Sequence, residues 1–325
     1  MIFRYYLILI HPLFLKAKMQ EKILLTGASG YAGGVIAGSL HKANIPFLTA
    51  GRQATDNLYF DLMQPEKFQE QCFPTGVESC IHVAAIHEVH CKNNCIEAYI
   101  ANVVATRALI DSAVKAGVKH FIYVSTFHVF GDPSGNLSEL AIPSPSNDYG
   151  LSHLLAEKMF QFAARQYNVQ VTILRPSNLF GVPDDWSTFN RWTLAPFDFV
   201  KQALENHKIV LYSDGTPVRN YVSLSFWQNA VIKAVAGQLP QITHVAGQIW
   251  SIYELAFLVA TIVEKEIGLS ISVIRGSEKS LEHPYHFFSE HWNTEGNSDN
   301  KKEMYDFISN TIKYYLNNFG MLSKS

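Results

Sequence analysis

The sequence predicts an α/β fold, a doubly wound parallel sheet followed by a smaller, mostly helical C-terminal lobe. Three observations predict it. Between Lys22 and Arg175, short apolar runs alternate with longer stretches of helical spacing, the pattern of strands buried on both faces by crossover helices. The first run leads straight into a glycine-rich turn, Thr26-Gly27-Ala28-Ser29-Gly30-Tyr31-Ala32-Gly33. After Pro176 the alternation stops, broken by Pro183, Pro196 and Pro217, and helical stretches dominate.

Strands are expected at 22–26, 46–50, 58–61, 79–84, 120–125 and 170–174, most of them continuous apolar runs. Helices are expected at 32–42, 95–116 and 149–167, with Gly117 placed where a helix would stop. Four more, at 197–206, 225–236, 252–266 and 302–318, supply the second lobe. The division is then 19–176 for the sheet domain and 177–325 for a mainly substrate-binding lobe with segments returning to the sheet. Ahead of them, residues 1–18 are expected to be a non-native or disordered extension. Its apolar stretch, 5–15, is shorter than the ~20 residues of a spanning helix and lacks a small-residue cleavage site.

Composition narrows the function. The 325 residues are 48% hydrophobic, enough for a substantial core, and 26 basic against 28 acidic residues are interspersed along the chain. No basic footprint for nucleic acid or an anionic membrane follows from that pattern. The expected partner is a small-molecule substrate. Four cysteines, Cys72, Cys80, Cys91 and Cys95, are too few for a disulfide framework, so a reducing cytoplasm is expected. The cluster His87-Glu88-Val89-His90-Cys91 with Cys95 matches no standard zinc spacing, and no metal site is predicted.

The glycine turn carries the first functional signal. One glycine permits a tight turn after the strand, a second lets backbone approach a pyrophosphate, and a third lets the following helix pack closely; Gly27, Gly30 and Gly33 occupy those places. The helix beginning there offers free N–H groups and its positive end to phosphate. The sheet is therefore read as a Rossmann-type dinucleotide-binding domain. The second strand ends Thr49-Ala50-Gly51-Arg52 with no acidic residue for a ribose 2′-hydroxyl, and Arg52 suits a 2′-phosphate instead. NADP is slightly favoured, with NAD left open.

Further segments follow in order: Asp61-Leu62, Ile81-His82-Val83-Ala84-Ala85, Asn102-Val103-Val104-Ala105-Thr106, Val124-Ser125-Thr126-Phe127-His128-Val129-Phe130-Gly131, Leu174-Arg175-Pro176-Ser177-Asn178-Leu179-Phe180-Gly181, and Asp214-Gly215-Thr216-Pro217-Val218-Arg219-Asn220-Tyr221. Together with the turn they resemble the extended short-chain dehydrogenase/reductase superfamily, in particular its NAD(P)-dependent sugar-nucleotide epimerase/dehydratase/reductase branch. The resemblance runs from Lys22 to the C-terminus. It implies a cofactor held by Gly27, Ser29, Gly30, Tyr31, Gly33, Arg52, Asp61, Leu62, Ala84, Ala85, Asn102, Ser125, Tyr149, His153 and Pro176. It also implies Tyr149 as acid/base, Thr126 as the hydroxyl that positions the reacting oxygen, and Asn178 and Arg219 against a nucleotide-sugar diphosphate. Family members are often dimers through the 95–116 and 149–167 helices, so a homodimer is possible.

The chain departs from the family at one consequential place. The family puts a lysine four residues after the tyrosine, where this chain has His153. Positions i and i+4 share a helix face, so His153 reaches the same place. A neutral imidazole gives a phenol far less help than an ammonium. Lys158, nine positions on, lies roughly 180° around the helix and is no substitute. Phe127-His128 also replaces the Asp-Glu of dehydratases, which disfavours dehydration. The leading reading is an NAD(P)-dependent oxidoreductase or epimerase acting on a nucleotide sugar by hydride transfer, with Thr126, Tyr149 and His153 as its catalytic residues. Two alternatives stand beside it: a reductase of a non-nucleotide carbonyl compound, and a catalytically weakened dinucleotide-binding sensor.

Overall fold

The computed structural model describes residues 22–277, 283–292 and 300–320; the extension at 1–18 lies outside them. The first half runs β1 (Lys22–Thr26), α1 (Tyr31–Lys42), β2 (Phe47–Gly51), β3 (Leu58–Tyr59), α2 (Pro65–Gln69), β4 (Val77–His82), α3 (Glu88–Asn93), α4 (Cys95–Tyr99), α5 (Ala105–Lys115) and β5 (His120–Val124). It continues through β6 (Gly135–Leu137), α6 (Asp148–Tyr167), β7 (Gln170–Pro176) and β8 (Asn178–Phe180). The remainder is α7 (Ala195–Asn206), β9 (Lys208–Val210), β10 (Val218–Ser223), α8 (Leu224–Val235), β11 (Ile242–Val245), β12 (Gln248–Ser251), α9 (Ile252–Ile267), β13 (Ser272–Ile274), β14 (Tyr285–Phe287) and α10 (Asn300–Phe319).

The main sheet has seven strands in the order β11-β7-β5-β4-β1-β2-β3, every pair parallel. The chain order reverses between β1 and β4, which opens a crevice at the carboxyl ends of those strands. Strands buried on both faces explain the apolar runs: Leu24, Cys80, Phe121 and Ile173 join the core on the α5 and α6 side. Ile23, Leu25, Ile81 and Ile122 face α1 and α8, where the fully buried Trp227 packs. A separate core of α7, α9 and α10 side chains, including Phe197, Leu255 and Ile308, builds the second lobe.

The expected strands and helices are present with ends shifted by at most two residues; the third strand stops at Tyr59 instead of Asp61. Two differences have physical causes. A seventh strand, β11, adds to the six expected; Ile-Thr-His-Val is too short and too polar to show a period, and its pairing with β7 makes it a strand. The single helix expected at 95–116 contains a π-turn at Ile100–Val104 between α4 and α5, an irregularity that a 3.6-residue period does not reveal.

One buried polar cluster ties the sheet together. Glu157 on α6 is fully buried and takes a bidentate pair from Arg175 on β7, Nε to Oε1 at 2.9 Å and Nη2 to Oε2 at 2.6 Å. Ser125, just past β5, donates to the same carboxylate at 2.5 Å, and Arg175 Nη1 lies 3.4 Å from His244 Nε2 on β11. Four elements meet at one ion pair. Arg175→Met strands a buried carboxylate and is expected to cost about 3–5 kcal/mol in urea unfolding, with most of it recovered by adding Glu157→Met; a single mutant as stable as wild type contradicts this account.

Candidate active site

The crevice is a cleft of about 850 Å³. Its floor begins at the glycine turn. Gly27 has φ +74°, and a Cβ there would lie 2.7 Å from the Ala84 nitrogen, so only glycine allows the turn to sit against the end of β4. A Cβ on Gly33 would come within 2.0 Å of the Gly27 carbonyl oxygen, so glycine is needed there as well for α1 to pack. No side chain caps the start of α1. Its terminal N–H groups and positive dipole end border the cleft.

The opposite wall, 83–86, is held from behind. Thr26 Oγ1 accepts from the backbone of Val83 at 3.2 Å and Ala84 at 3.1 Å, and also lies 2.8 Å from His82 Nδ1. His82 Nε2 in turn lies 2.9 Å from Thr106 Oγ1. Asn102, in the π-turn, accepts from the Ile86 nitrogen at 3.0 Å and donates to Ser152 Oγ at 3.1 Å. Asn102 is 2% exposed and is not among the residues that line the cleft. Both its amide groups are used in holding the wall.

Every other predicted site residue lines the cleft: Gly27, Ser29, Gly30, Tyr31, Gly33, Arg52, Asp61, Leu62, Ala84, Ala85, Ser125, Thr126, Tyr149, His153, Pro176, Asn178 and Arg219. Several are also committed to protein contacts. Tyr31 donates its hydroxyl to the Gly181 carbonyl at 2.8 Å, Asp61 accepts from the Met63 nitrogen at 3.0 Å, and Asn178 donates to the Asn220 carbonyl at 2.9 Å. Arg219 donates to the Val218 carbonyl at 2.8 Å. Arg52 is exposed at the end of β2, and no acidic side chain from that strand end lines the cleft.

The placing of Thr126 and Tyr149 is set by a close approach. Asn147 caps α6 by accepting from the Gly150 nitrogen at 2.8 Å, and a Cβ on Gly150 would lie 2.3 Å from the His128 carbonyl oxygen. The helix start therefore abuts the short turn Phe127–Phe130, whose cap is Thr126. This places Thr126 and Tyr149 together on the cleft wall, near enough for the Thr126 hydroxyl to act on the phenol. Burial raises the phenol above its ordinary range, Thr126 and the Arg191 charge pull it back, and Glu88 and Cys91 raise it.

Four residues on, His153 is 3% exposed, and its ring meets the Tyr149 ring edge-on at 4.6 Å. Desolvation, helped by His128, drives its pKa down to about 3. The imidazole is therefore uncharged at neutral pH. Lys158 is exposed and donates to Gln161 at 3.3 Å, away from Tyr149.

A family model described as "NAD dependent epimerase/dehydratase family" matches residues 23–235. The chain belongs to this family. It is 27% identical over 152 residues to the "Uncharacterized UDP-glucose epimerase YtcB" of Bacillus subtilis (strain 168), covering 46% of either chain, so it spans about half that relative's length. It is 25% identical over 236 residues to a UDP-glucose 4-epimerase of Halalkalibacterium halodurans, covering 64% of this chain and 69% of that one. Among solved structures, MoeE5 in complex with UDP-glucose and NAD shares the fold, with a TM-score of 0.73 at 19% identity over 91% of this chain and 99% of that one.

Family membership leaves two features of this cleft that the sequence did not announce. Helix α3 occupies a segment to which the sequence assigned no element, begun by His87, whose ring accepts from the His90 nitrogen at 3.4 Å; histidine is an uncommon cap, so the usual start signal is missing. Arg191 lines the cleft from the irregular segment between β8 and α7, and its charge acts on both Tyr149 and His87. No period or motif marks it. Among the described residues no group of three or more His, Cys, Asp or Glu gathers as for a metal ion, and no helix is long and apolar enough to cross a membrane.

Burial of neutral histidines has a consequence for stability. His82 and His153 are driven down to about 3 and His244 to about 4, chiefly by desolvation. The unfolded chain protonates them near ~6.5. Their contribution is thus full above that pH and is lost as pH falls toward the folded values, each group adding a slope of about 1.4 kcal/mol per pH unit. The urea midpoint is expected to drop steeply from pH 7 to pH 5; a flat midpoint across that window contradicts neutral burial.

Proposed function

We propose that the chain is an NAD(P)-dependent oxidoreductase or epimerase of nucleotide sugars, in which Tyr149 moves the proton at the reacting oxygen and Thr126 positions that oxygen. The observation that carries this reading is that Thr126 and Tyr149 line one cleft floored by the glycine turn. The cradle at Gly27 and Gly33, the uncapped start of α1 and the unpartnered His153 Nε2 fit a dinucleotide. When bound, the nicotinamide supplies or accepts hydride. The glycine turn would hold the pyrophosphate, His153 the nicotinamide ribose, and Arg52 a 2′-phosphate, which favours NADP. Asn178 and Arg219, on the second-lobe side of the cleft, would take the substrate diphosphate, a contact that a non-nucleotide carbonyl compound does not need.

The electrostatics favour one direction of proton movement. A phenol raised by burial, with a neutral imidazole beside it, stays protonated at neutral pH. Such a group is a ready acid and a poor base. Donation to a developing alkoxide, as in reduction of a keto sugar, suits it better than removal of a hydroxyl proton. The same property supports the second reading, a dinucleotide-binding sensor with weakened turnover.

The exposed apolar side chains of α6, Leu151, Leu155 and Phe162, support a homodimer through that helix. The main test is a panel of UDP- and dTDP-linked sugars and keto sugars with NADPH or NAD. Tyr149→Phe is expected to lower turnover by at least about 10²-fold with dinucleotide affinity retained. Full retention of function by Tyr149→Phe sinks the enzyme reading and leaves the sensor.

The pH profile gives an independent check. Oxidation of a sugar hydroxyl needs the phenolate, so its rate is expected to keep climbing into the alkaline range. His153→Lys places a cation beside the phenol and is expected to move that limb to lower pH, with a gain in turnover near neutrality. An unshifted limb in the lysine variant counts against a role for the missing charge.

A further inference from the structure

His153, on the cleft wall, has one ring nitrogen paired and the other not. Its Nδ1 lies 2.7 Å from the Tyr123 hydroxyl, while Nε2, on the far edge of the ring, is buried without a partner. Tyr123, on β5, is itself 2% exposed and packs in one cluster with the His82 ring at 5.8 Å and the Phe160 ring at 4.9 Å, which also meet each other at 6.1 Å. That packing fixes where its hydroxyl points. His153 is the one hydrogen-bond partner of that hydroxyl among the described residues.

We propose that Tyr123 is a positioning residue that donates its hydroxyl proton to His153 Nδ1, locking the imidazole as the Nε2–H tautomer and presenting a neutral donor to a ligand hydroxyl in the cleft. The argument is a count of donors and acceptors. If Nδ1 carried the proton, it would donate to the Tyr123 oxygen and leave the buried phenolic O–H with no acceptor. With the proton on Nε2, the phenol and Nδ1 satisfy each other, and the single unmet group is an N–H on the cleft wall. An unmet buried donor at a binding cleft is a group waiting for a ligand acceptor. The ligand chemistry is a vicinal diol, such as that of the nicotinamide ribose, and this part rests on the dinucleotide reading given above.

The arrangement differs in kind from a lysine. The donor carries no charge, and burial keeps it neutral throughout the physiological range. Its direction comes from a second residue rather than from its own chain. Tyr123 therefore acts on the ligand without touching it.

Two measurements test this. In the first, the protein without added nucleotide is labelled with 15N-histidine, and its two-bond nitrogen–proton spectra report the tautomer. Subtracting the His153→Gln spectrum isolates His153 from the other 12 of the 13 histidines. Wild type is expected to carry the proton on Nε2, and Tyr123→Phe to lose that preference with its melting temperature still that of a folded protein. In the second, calorimetry measures NADP+ and NAD+ affinity. Tyr123→Phe is expected to weaken binding about tenfold, as loss of one aligned hydrogen bond would. The same change in a His153→Gln background is expected to cost nothing, because an amide N–H has no tautomer to set.

A proton on Nδ1 in wild type overturns the proposal. So does a Tyr123→Phe loss of equal size in the glutamine background, which makes the tyrosine merely structural. A wild type that binds neither dinucleotide overturns the cofactor reading of the cleft, while the nitrogen spectra still decide the tautomer.

Discussion

The bidentate pair between Glu157 and Arg175 is the constraint on which both halves of the site depend. A buried carboxylate and guanidinium are costly to desolvate, and here each is compensated by further contacts, Ser125 on one side and His244 on the other. The residues they fix matter more than the energy they add. Ser125 precedes Thr126, and Glu157 sits on the helix that carries Tyr149 and His153 two turns and one turn earlier. One ion pair thus sets the strand end and the helix relative to each other before any ligand arrives. It works as a jig for the hydroxyl pair in front of it.

Around that frame the cleft uses two strategies. Where backbone must come close, glycine is placed: Gly27 against Ala84, Gly33 against Gly27, Gly150 against His128. Where a loop must be held open, a buried polar side chain reaches in from behind, as Thr26 and Asn102 do for 83–86. The first strategy narrows the floor and the second stiffens the wall. Neither needs the ligand present, which is what preorganisation means in energetic terms.

Much of the fold was legible because strands buried on both faces have no polar side to show and helices between them keep a period. The glycine turn was legible for a related reason: φ > 0 and backbone contact leave few residues to choose from. What escaped the sequence depended on partners remote in the chain. Ile242–Val245 becomes a strand only because β7 offers it an edge. The hold that Asn102 keeps on the wall, with both its amide groups engaged behind it, depends on Ile86 and Ser152, 16 and 50 residues away. Tyr123 is one more aromatic in an apolar run until the fold stacks it beside His82 and aims its hydroxyl at His153. Arg191 lies on a segment without period, so its place opposite Tyr149 emerges only in three dimensions.

The contact between Gly150 and His128 has a consequence for how such a protein changes over generations. A helix start pressed against a turn has no slack, so Tyr149 and Thr126 cannot be re-aimed by small adjustments on their own side of the cleft. The segment between β8 and α7, which carries Arg191, has no regular structure to break and tolerates replacement far better. Variation in what the protein accepts is therefore channelled into the second lobe. The chemistry stays where it is, and the appetite of the cleft drifts around it.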